Sequence, residues 1–441
     1  MAMTNLKTFP GGLHPADNKK WTAAKPVEAV PLPQELIIPL SQHIGAPAEA
    51  CVEVGTLVKK GQVIGKAKGF VSVPVHASTS GEVVAVEPRL HPSGRSLPSV
   101  VIKPDGEDVW LENLPKADPA TLDADQIKDR LRDAGIVGMG GATFPAHVKL
   151  SPPEEKPIDT LIINGVECEP YLTADHRLML EEPEKVLQGV DILRRVLDVT
   201  NIYIGIEANK PDAIALMSEK CAGSGVEVVP LEVKYPQGAE KQLILAITGR
   251  EVPSGGLPME VGVVVQNVGT TAAAADAVIN GYPLIERNCT VTGTGINEQK
   301  NLRIKIGTPL QHLVDFCGGL NGDPAKLIMG GPMMGMTQLS LDVPATIVTS
   351  GLLIFRAGDI HVAESGPCIR CARCVRACPA KLLPTTIAAY TRLDMFEEAE
   401  EYNAMDCIEC GCCSYSCPSL IPLVQSLRHA KAAILEKRRK M

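Results

Sequence analysis

The chain has 441 residues, 45 % of them hydrophobic, a net charge of −8 and only 3 % aromatics. That length suggests about three to four globular units, and the negative charge with so few aromatics excludes a nucleic-acid partner. No apolar run approaches the roughly 18 residues of a membrane span, and Met1–Lys20 has no apolar stretch of the signal-peptide kind. A soluble or peripheral chain in a reducing compartment is expected.

Residues 1–33 read as a polar, loop-like extension. From 34 to 106 the text is short, valine-rich and punctuated by glycine, as in Gly55–Ile64 and Pro74–Val84. Turn residues bounding short strands predict a small hammerhead-like β-sandwich in two halves. It resembles the biotinyl/lipoyl type of barrel-sandwich module. At its tip the sequence reads Lys68-Gly69-Phe70-Val71, with Lys66 and Lys68 before the place of a modifiable lysine. The expected role is structural or interfacial, since likeness of fold does not carry function.

Pro104–Pro119 is a proline- and acid-rich linker. A helix follows, with Ile127, Leu131 and Ala134 on one face. Over 120–289 strands and helices alternate. Strands are expected at Thr160–Ile163, Ile202–Ile206, Val226–Val233 and Val261–Asn267. Helices are expected at Glu184–Leu197 and at Pro211–Lys220, the latter capped by Asn209. This alternation predicts an α/β layer on a mostly parallel sheet. In 290–345 strands dominate around one short helix, Pro309–Phe316, which suggests a β-grasp unit of the SLBB-like kind. The last unit, 358–430, is helical between cysteine runs, with Ala388–Tyr402 as a linking helix. The basic tail Arg428–Lys440 is a solvated helix end or, as the minor alternative, a contact for an anionic membrane face.

Two features carry chemistry. The first is Gly135-Ile136-Val137-Gly138-Met139-Gly140-Gly141, four glycines in seven residues. Such a loop lets backbone N–H groups approach a phosphate or a flat ring without Cβ interference. It follows a helix rather than a strand, unlike the simple dinucleotide-binding fingerprint.

The second is the pair of runs Cys368, Cys371, Cys374, Cys378-Pro379 and Cys407, Cys410, Cys413, Cys417-Pro418. Both read C-x2-C-x2-C-x3-C-P, the bacterial ferredoxin spacing, in which the fourth cysteine serves the other cube. Cys368, Cys371, Cys374 and Cys417 are therefore assigned to one [4Fe–4S] cluster, and Cys407, Cys410, Cys413 and Cys378 to a second. Zinc sites favour separated C-x2-C pairs, and disulfide frameworks suit short secreted chains. Cys412 is a spare thiol beside Cys413. The scattered Cys51, Cys168, Cys221, Cys289 and Cys317 are expected to be free.

Gly138-Met139-Gly140-Gly141-Ala142-Thr143-Phe144-Pro145, with Lys149 beyond, resembles the flavin loop of the NADH-oxidising subunit of respiratory complex I. Asn164-Gly165-Val166-Glu167-Cys168-Glu169-Pro170, Tyr235–Glu240 and Gln266–Thr270 resemble three further segments of that subunit, in the same order. With the opening Phe9–Pro15 and the Gly330-Gly331-Pro332-Met333-Met334-Gly335 stretch, nearly the whole chain is similar to the C subunits of Rnf complexes, ion-translocating ferredoxin:NAD⁺ oxidoreductases. The resemblance implies a multidomain α/β and β protein: a hammerhead-like sandwich, a Rossmann-like α/β flavin domain, an SLBB-like β-grasp unit and a helical bis-[4Fe–4S] domain. It implies FMN and NAD(H), a seat at the cytoplasmic face of the membrane held by other subunits, and ferredoxin reached only indirectly.

Residue roles follow from the same resemblance. Gly138, Gly140, Gly141 and Gly238 would line the FMN site, with Lys149 offsetting phosphate charge. Asn164, Glu167 and Asn267 would hydrogen-bond ribityl or phosphate-side groups. Phe144 would stack on a nucleotide ring, and Glu169 and Glu240 would lie near the nicotinamide. Any of these acids could instead be a surface charge or a helix N-terminal charge. Val166 stands where the complex I subunit has aspartate, and Ala239 where it has glutamate. An electron relay with a vestigial flavin site and a cobalamin reductase of the propanediol-utilisation type remain alternatives. The sandwich placed before the flavin domain favours the Rnf type. The pieces form one chemical unit, because a nicotinamide gives two electrons at once, a cube takes one, and a flavin converts between them.

Overall fold

The computed structural model describes residues 6–360 and 364–440. Residues 1–5 of the expected extension and 361–363 of the last unit lie outside the described residues. Four sheets organise the described residues.

The sandwich module has a four-stranded antiparallel sheet (Leu57–Val58, Gly81–Leu90, Ser96–Pro104, Leu36–Pro39) facing a three-stranded one (Glu49–Ala50, Val63–Lys66, Val75–His76). Leu36, Ile38, Ile64, Val83, Val100 and Ile102 fill the space between them.

The α/β domain carries four parallel strands in the order Val226–Leu231, Asn201–Glu207, Thr160–Asn164, Val263–Asn267. Numbered along the chain, that order is 3-2-1-4, the Rossmann half-sheet. One face is covered by the helices Ala124–Asp133, Pro183–Leu197, Pro211–Lys220 and Val268–Ala275. The other is covered by Glu240–Thr248, through Leu243, Ile244 and Ile247. Strand direction reverses its progress between Thr160–Asn164 and Val263–Asn267, so the crevice for a ligand lies at the carboxyl ends of those two strands.

A six-stranded sheet forms the next layer. It includes Glu286–Thr292, which starts before the expected bounds of 290–345, and Gly351–Arg356, which lies beyond them. It also recruits Val27–Ala29 from the N-terminal extension, parallel to Lys300–Lys305. The extension is thus loop-like for most of its described length but is woven into two domains. In the last unit the expected Ala388–Tyr402 helix is two, Pro384–Arg392 and Phe396–Glu401. Asp394 takes a left-handed conformation (φ 56°) and ends the first. Lys210, not Asn209, occupies the cap position of Pro211–Lys220, and no side chain caps it. No helix among the described residues is long and apolar enough to cross a membrane. The basic tail is a helix end whose Lys437 and Arg438 pair with Glu397 and Glu400.

Candidate functional site

The glycine loop lies at the sheet's switch point. Gly138 N–H donates to the Phe144 carbonyl at 2.9 Å, and Ala146 N–H to that of Ile136 at 2.9 Å, closing residues 138–144 into a hairpin-like excursion. The Met139 N–H donates to Thr270 Oγ1 at 2.8 Å, which ties the loop to the helix Val268–Ala275. A Cβ on Gly140 would stand 3.1 Å from that of Asn267, and Gly141 has φ +147° with open space around it. Backbone is therefore exposed at the loop's crest, beside a helix N-terminus, as a phosphate or flat ring requires.

The flanking polar side chains are engaged within the protein. Asn267 Oδ1 accepts from Gly269 N–H at 2.8 Å, capping its helix, while Nδ2 donates to Asp175 at 2.7 Å. Asn164 donates to the Gly238 carbonyl at 2.8 Å and accepts from Val166 N–H at 3.2 Å. Glu167 accepts from Asp175 N–H at 2.8 Å and His176 N–H at 3.2 Å, so its carboxylate sits at the start of the helix Ala174–Glu181 and serves as a helix N-terminal charge. Lys149 and Glu240 face each other at 2.5 Å. Both are partly solvated, so the pair is worth under about 1 kcal/mol and a phosphate can open it. Phe144 is half-buried at the loop's foot. Val166 is fully buried beneath its loop among Ile162, Leu243 and Ile244. There it packs against protein.

Glu169 reaches furthest. It accepts from Met333 N–H at 3.0 Å and Met334 N–H at 2.8 Å, joining the α/β domain to the Gly330–Gly335 turn of the six-stranded sheet. Burial pushes its carboxyl from 4.5 up to about 7 against those two N–H donors. Between these values the unfolded chain has lost the proton and the folded chain has kept it. Stability therefore falls as pH rises from about 4.5 to about 7 and levels off above. Glu169→Gln should lack this slope, although its single acceptor oxygen can serve only one of the Met333 and Met334 N–H groups. Hydrogen-exchange protection of residues 330–335, corrected for the intrinsic pH dependence and followed from about pH 5.5 to 8, checks it, and parallel curves for the two proteins would count against it.

Two lysines that no sequence motif marks organise this region. Lys19, from the extension, is buried and donates to the carbonyls of Glu167 and Glu169 at 2.9 Å each and of Leu172 at 2.5 Å. Lys210, also buried, donates to the Val166 carbonyl at 2.8 Å and approaches Glu207 at 3.4 Å. Burial, followed by the charge of Lys210, lowers the pKa of Lys19. The clamped loop holds Glu167 and Tyr171 in left-handed backbone (φ 47° and 71°), at a cost of order 1 kcal/mol or more each. No periodicity around Lys19 marks such a position.

The cysteines form two hollows. One, of about 180 Å³, is lined by Cys368, Cys371, Cys374 and Cys417. The other is lined by Cys378, Cys407, Cys410 and Cys413, with Cys412 beside them. Among the described residues no three histidines, cysteines or acids are placed to hold a single metal ion. Four cysteines of the octet line each hollow, the number of thiolates a cubane takes. Backbone N–H groups of Arg370, Leu382 and Glu409 donate to the sulfurs of Cys368, Cys378 and Cys407 at 3.4 Å each, which favours an anionic cluster. Burial pushes Cys407 up to about 11 and Cys413 up to about 12, so iron binding there displaces protons. Cys51, Cys168, Cys221, Cys289 and Cys317 are free.

The two hollows differ in setting. Cys368 is exposed, next to an exposed Ile369. The second hollow abuts the α/β domain: Cys410 and Cys412 share a buried core with Tyr235, against which Cys168 and Met333 pack.

Family models match along the chain: the RnfC barrel sandwich hybrid domain over residues 7–107, the Nuo51 FMN-binding domain over 131–276, the SLBB domain over 289–337 and a 4Fe-4S dicluster domain over 361–418. The chain is 50 % identical to the C subunit of the proton-translocating ferredoxin:NAD(+) oxidoreductase complex of Clostridium ljungdahlii, over 97 % of this chain and 94 % of the relative. It is 50 % identical to the C subunit of the Na(+)-translocating complex of Acetobacterium woodii, over 98 % of each. It is 44 % identical to the C subunit of the ion-translocating oxidoreductase complex of Rhodobacter capsulatus, over 97 % of this chain and 83 % of the relative. A chain of an NAD+-reducing [NiFe]-hydrogenase shares the fold, with a TM-score of 0.50 and 18 % identity over 74 % of this chain and 63 % of that one.

Proposed function

Because the chain belongs to the family of C subunits of ion-translocating ferredoxin:NAD(+) oxidoreductase complexes, we propose that it is the subunit where NAD(H) exchanges a hydride and from which single electrons pass to or from its partners. The observation that carries this is the core shared by Tyr235, Cys168 and Met333 with Cys410 and Cys412, which sets one cysteine hollow against the flavin-side loops.

Bound FMN would supply the conversion between a two-electron hydride and single electrons. The backbone of Gly138, Gly140 and Gly141 would admit its ring and phosphate, with Gly238 on the opposite wall. Lys149 would release Glu240 to meet the phosphate. Asn164, Glu167 and Asn267 would act mainly by holding the loops in place, since their polar atoms already bond protein. Phe144 would stack on a nucleotide ring, and Glu169 and Glu240 would border the nicotinamide. The chain need supply no nucleophile; its residues orient, exclude water and hold the clusters' thiolates.

Electrons would leave or enter through the exposed Cys368 side, where other subunits of the complex would dock. Ferredoxin would be reached through them, and the membrane too, with the chain peripheral at its cytoplasmic face. Ion coupling would belong to those other chains: equally similar relatives carry names that specify protons in one case and sodium in the other.

Anaerobically purified, iron-loaded chain with FMN should oxidise NADH with an artificial acceptor. Gly140→Trp should abolish FMN retention and cut that turnover at least about 100-fold, with iron content unchanged. Equal FMN binding by the variant, or no NADH oxidation by the wild type, would defeat the reading.

A further inference from the structure

One buried side chain bridges the flavin-side loops and the second hollow by a hydrogen bond. Tyr235 belongs to the Tyr235–Glu240 segment that carries Gly238, and it is 1 % exposed. Its hydroxyl donates to the carbonyl of Cys410 at 2.8 Å. Its backbone cannot drift, because its N–H donates to the Leu13 carbonyl at 2.8 Å and its own carbonyl accepts from Leu13 N–H at 2.7 Å. The same segment reaches the other side of the crevice, where Gly238 N–H donates to Cys168 Sγ at 3.3 Å.

The neighbouring leg of the hollow is held as closely. Gly12 N–H donates to the Ala377 carbonyl at 3.0 Å, and a Cβ on Gly11 would come within 2.9 Å of the Cys378 carbonyl oxygen. Gln242 donates to the carbonyl of Pro379 at 3.4 Å. Gly411 leaves no slack either, since a Cβ there would stand 3.2 Å from the Met333 carbonyl oxygen. Among the described residues, Cys368, Cys371, Cys374 and Cys417 make no such bond to another domain.

We infer that Tyr235 is the positioning residue that fixes the cluster of Cys378, Cys407, Cys410 and Cys413 against the flavin-side loops and so sets the rate at which single electrons cross between the two domains. This rests on the function proposed above. Each electron gained by the cluster is one lost on the flavin side, so the step needs no further reactant.

Tyr235→Phe keeps the ring and removes only the donor. In the fully loaded protein, bleaching of the flavin by NADH should proceed at the wild-type rate. Reduction of the second cluster should slow roughly tenfold, as a small misplacement does to a positioned reaction. In a redox titration followed by paramagnetic resonance, the midpoint of that cluster should move while the Cys368 cluster stays put. Unchanged midpoints and rates overturn the inference. So does loss of both clusters from the variant, which would make the tyrosine a general support of the fold. The titration uses no NADH, so it decides the role of Tyr235 even where NADH fails to bleach the flavin, a result that strikes the proposed function instead.

Discussion

Replacing Cys417 with alanine is expected to remove one cubane, lower iron from about eight to about four per chain, and leave NADH-driven reduction of the remaining cluster intact. Cys417 closes the hollow of Cys368, Cys371 and Cys374, although it belongs to the other run in sequence. Cys378→Ala should also halve the iron but with the opposite consequence. The cluster it removes is the one that abuts Tyr235 and Cys168, so the surviving cluster stands on the far, exposed side and NADH reduces it slowly or not at all. The two variants share a composition and differ in electron flow. If both kept fast cluster reduction, or if each removed the cluster of its own run, the crossed assignment and the order of the relay would be wrong.

The second large effect is expected at Lys19. Lys19→Met keeps length and apolar stem but leaves the carbonyls of Glu167, Glu169 and Leu172 without their donor. Each buried orphan costs about 1–3 kcal/mol, so the local loss should be about 4 kcal/mol, partly relieved by water. Because a chain of several domains does not unfold in one step, the global midpoint is a poor gauge. Hydrogen exchange of residues 166–173 should rise by roughly two to three orders of magnitude, and FMN affinity should fall with it, while both clusters persist. Unaltered exchange in that loop would show that the lysine is a passenger.

These two positions also show what the sequence could disclose. Cysteine spacing is a local code, because three thiolates within seven residues can only wrap one cube, and it is legible at once. So is the parallel sheet, since strand and helix periods differ and alternate. Lys19 is not legible. It sits in a polar, irregular stretch, and what buries it lies about 150 residues away. Glu167 is legible as a functional acid by resemblance, yet its oxygens are taken by the N–H groups of Asp175 and His176, a cap that only the turn after Pro170 creates. The strand Gly351–Arg356 escapes the expected β-grasp unit because a loop separates it from the strands it joins, parallel to Glu286–Thr292 and antiparallel to Pro324–Met329. The split of Ala388–Tyr402 turns on one left-handed aspartate, Asp394, which helical periodicity does not reveal.

The most direct test mixes anaerobic, FMN- and iron-loaded chain with NADH alone and follows it by optical absorption and freeze-quenched paramagnetic resonance. Loss of the oxidised flavin band is expected first, followed by the resonances of two reduced cubanes, the one beside Tyr235 leading. A bleached flavin with no cubane signal, or cubanes reduced while the flavin stays oxidised, would contradict a relay that runs from hydride to flavin to cluster.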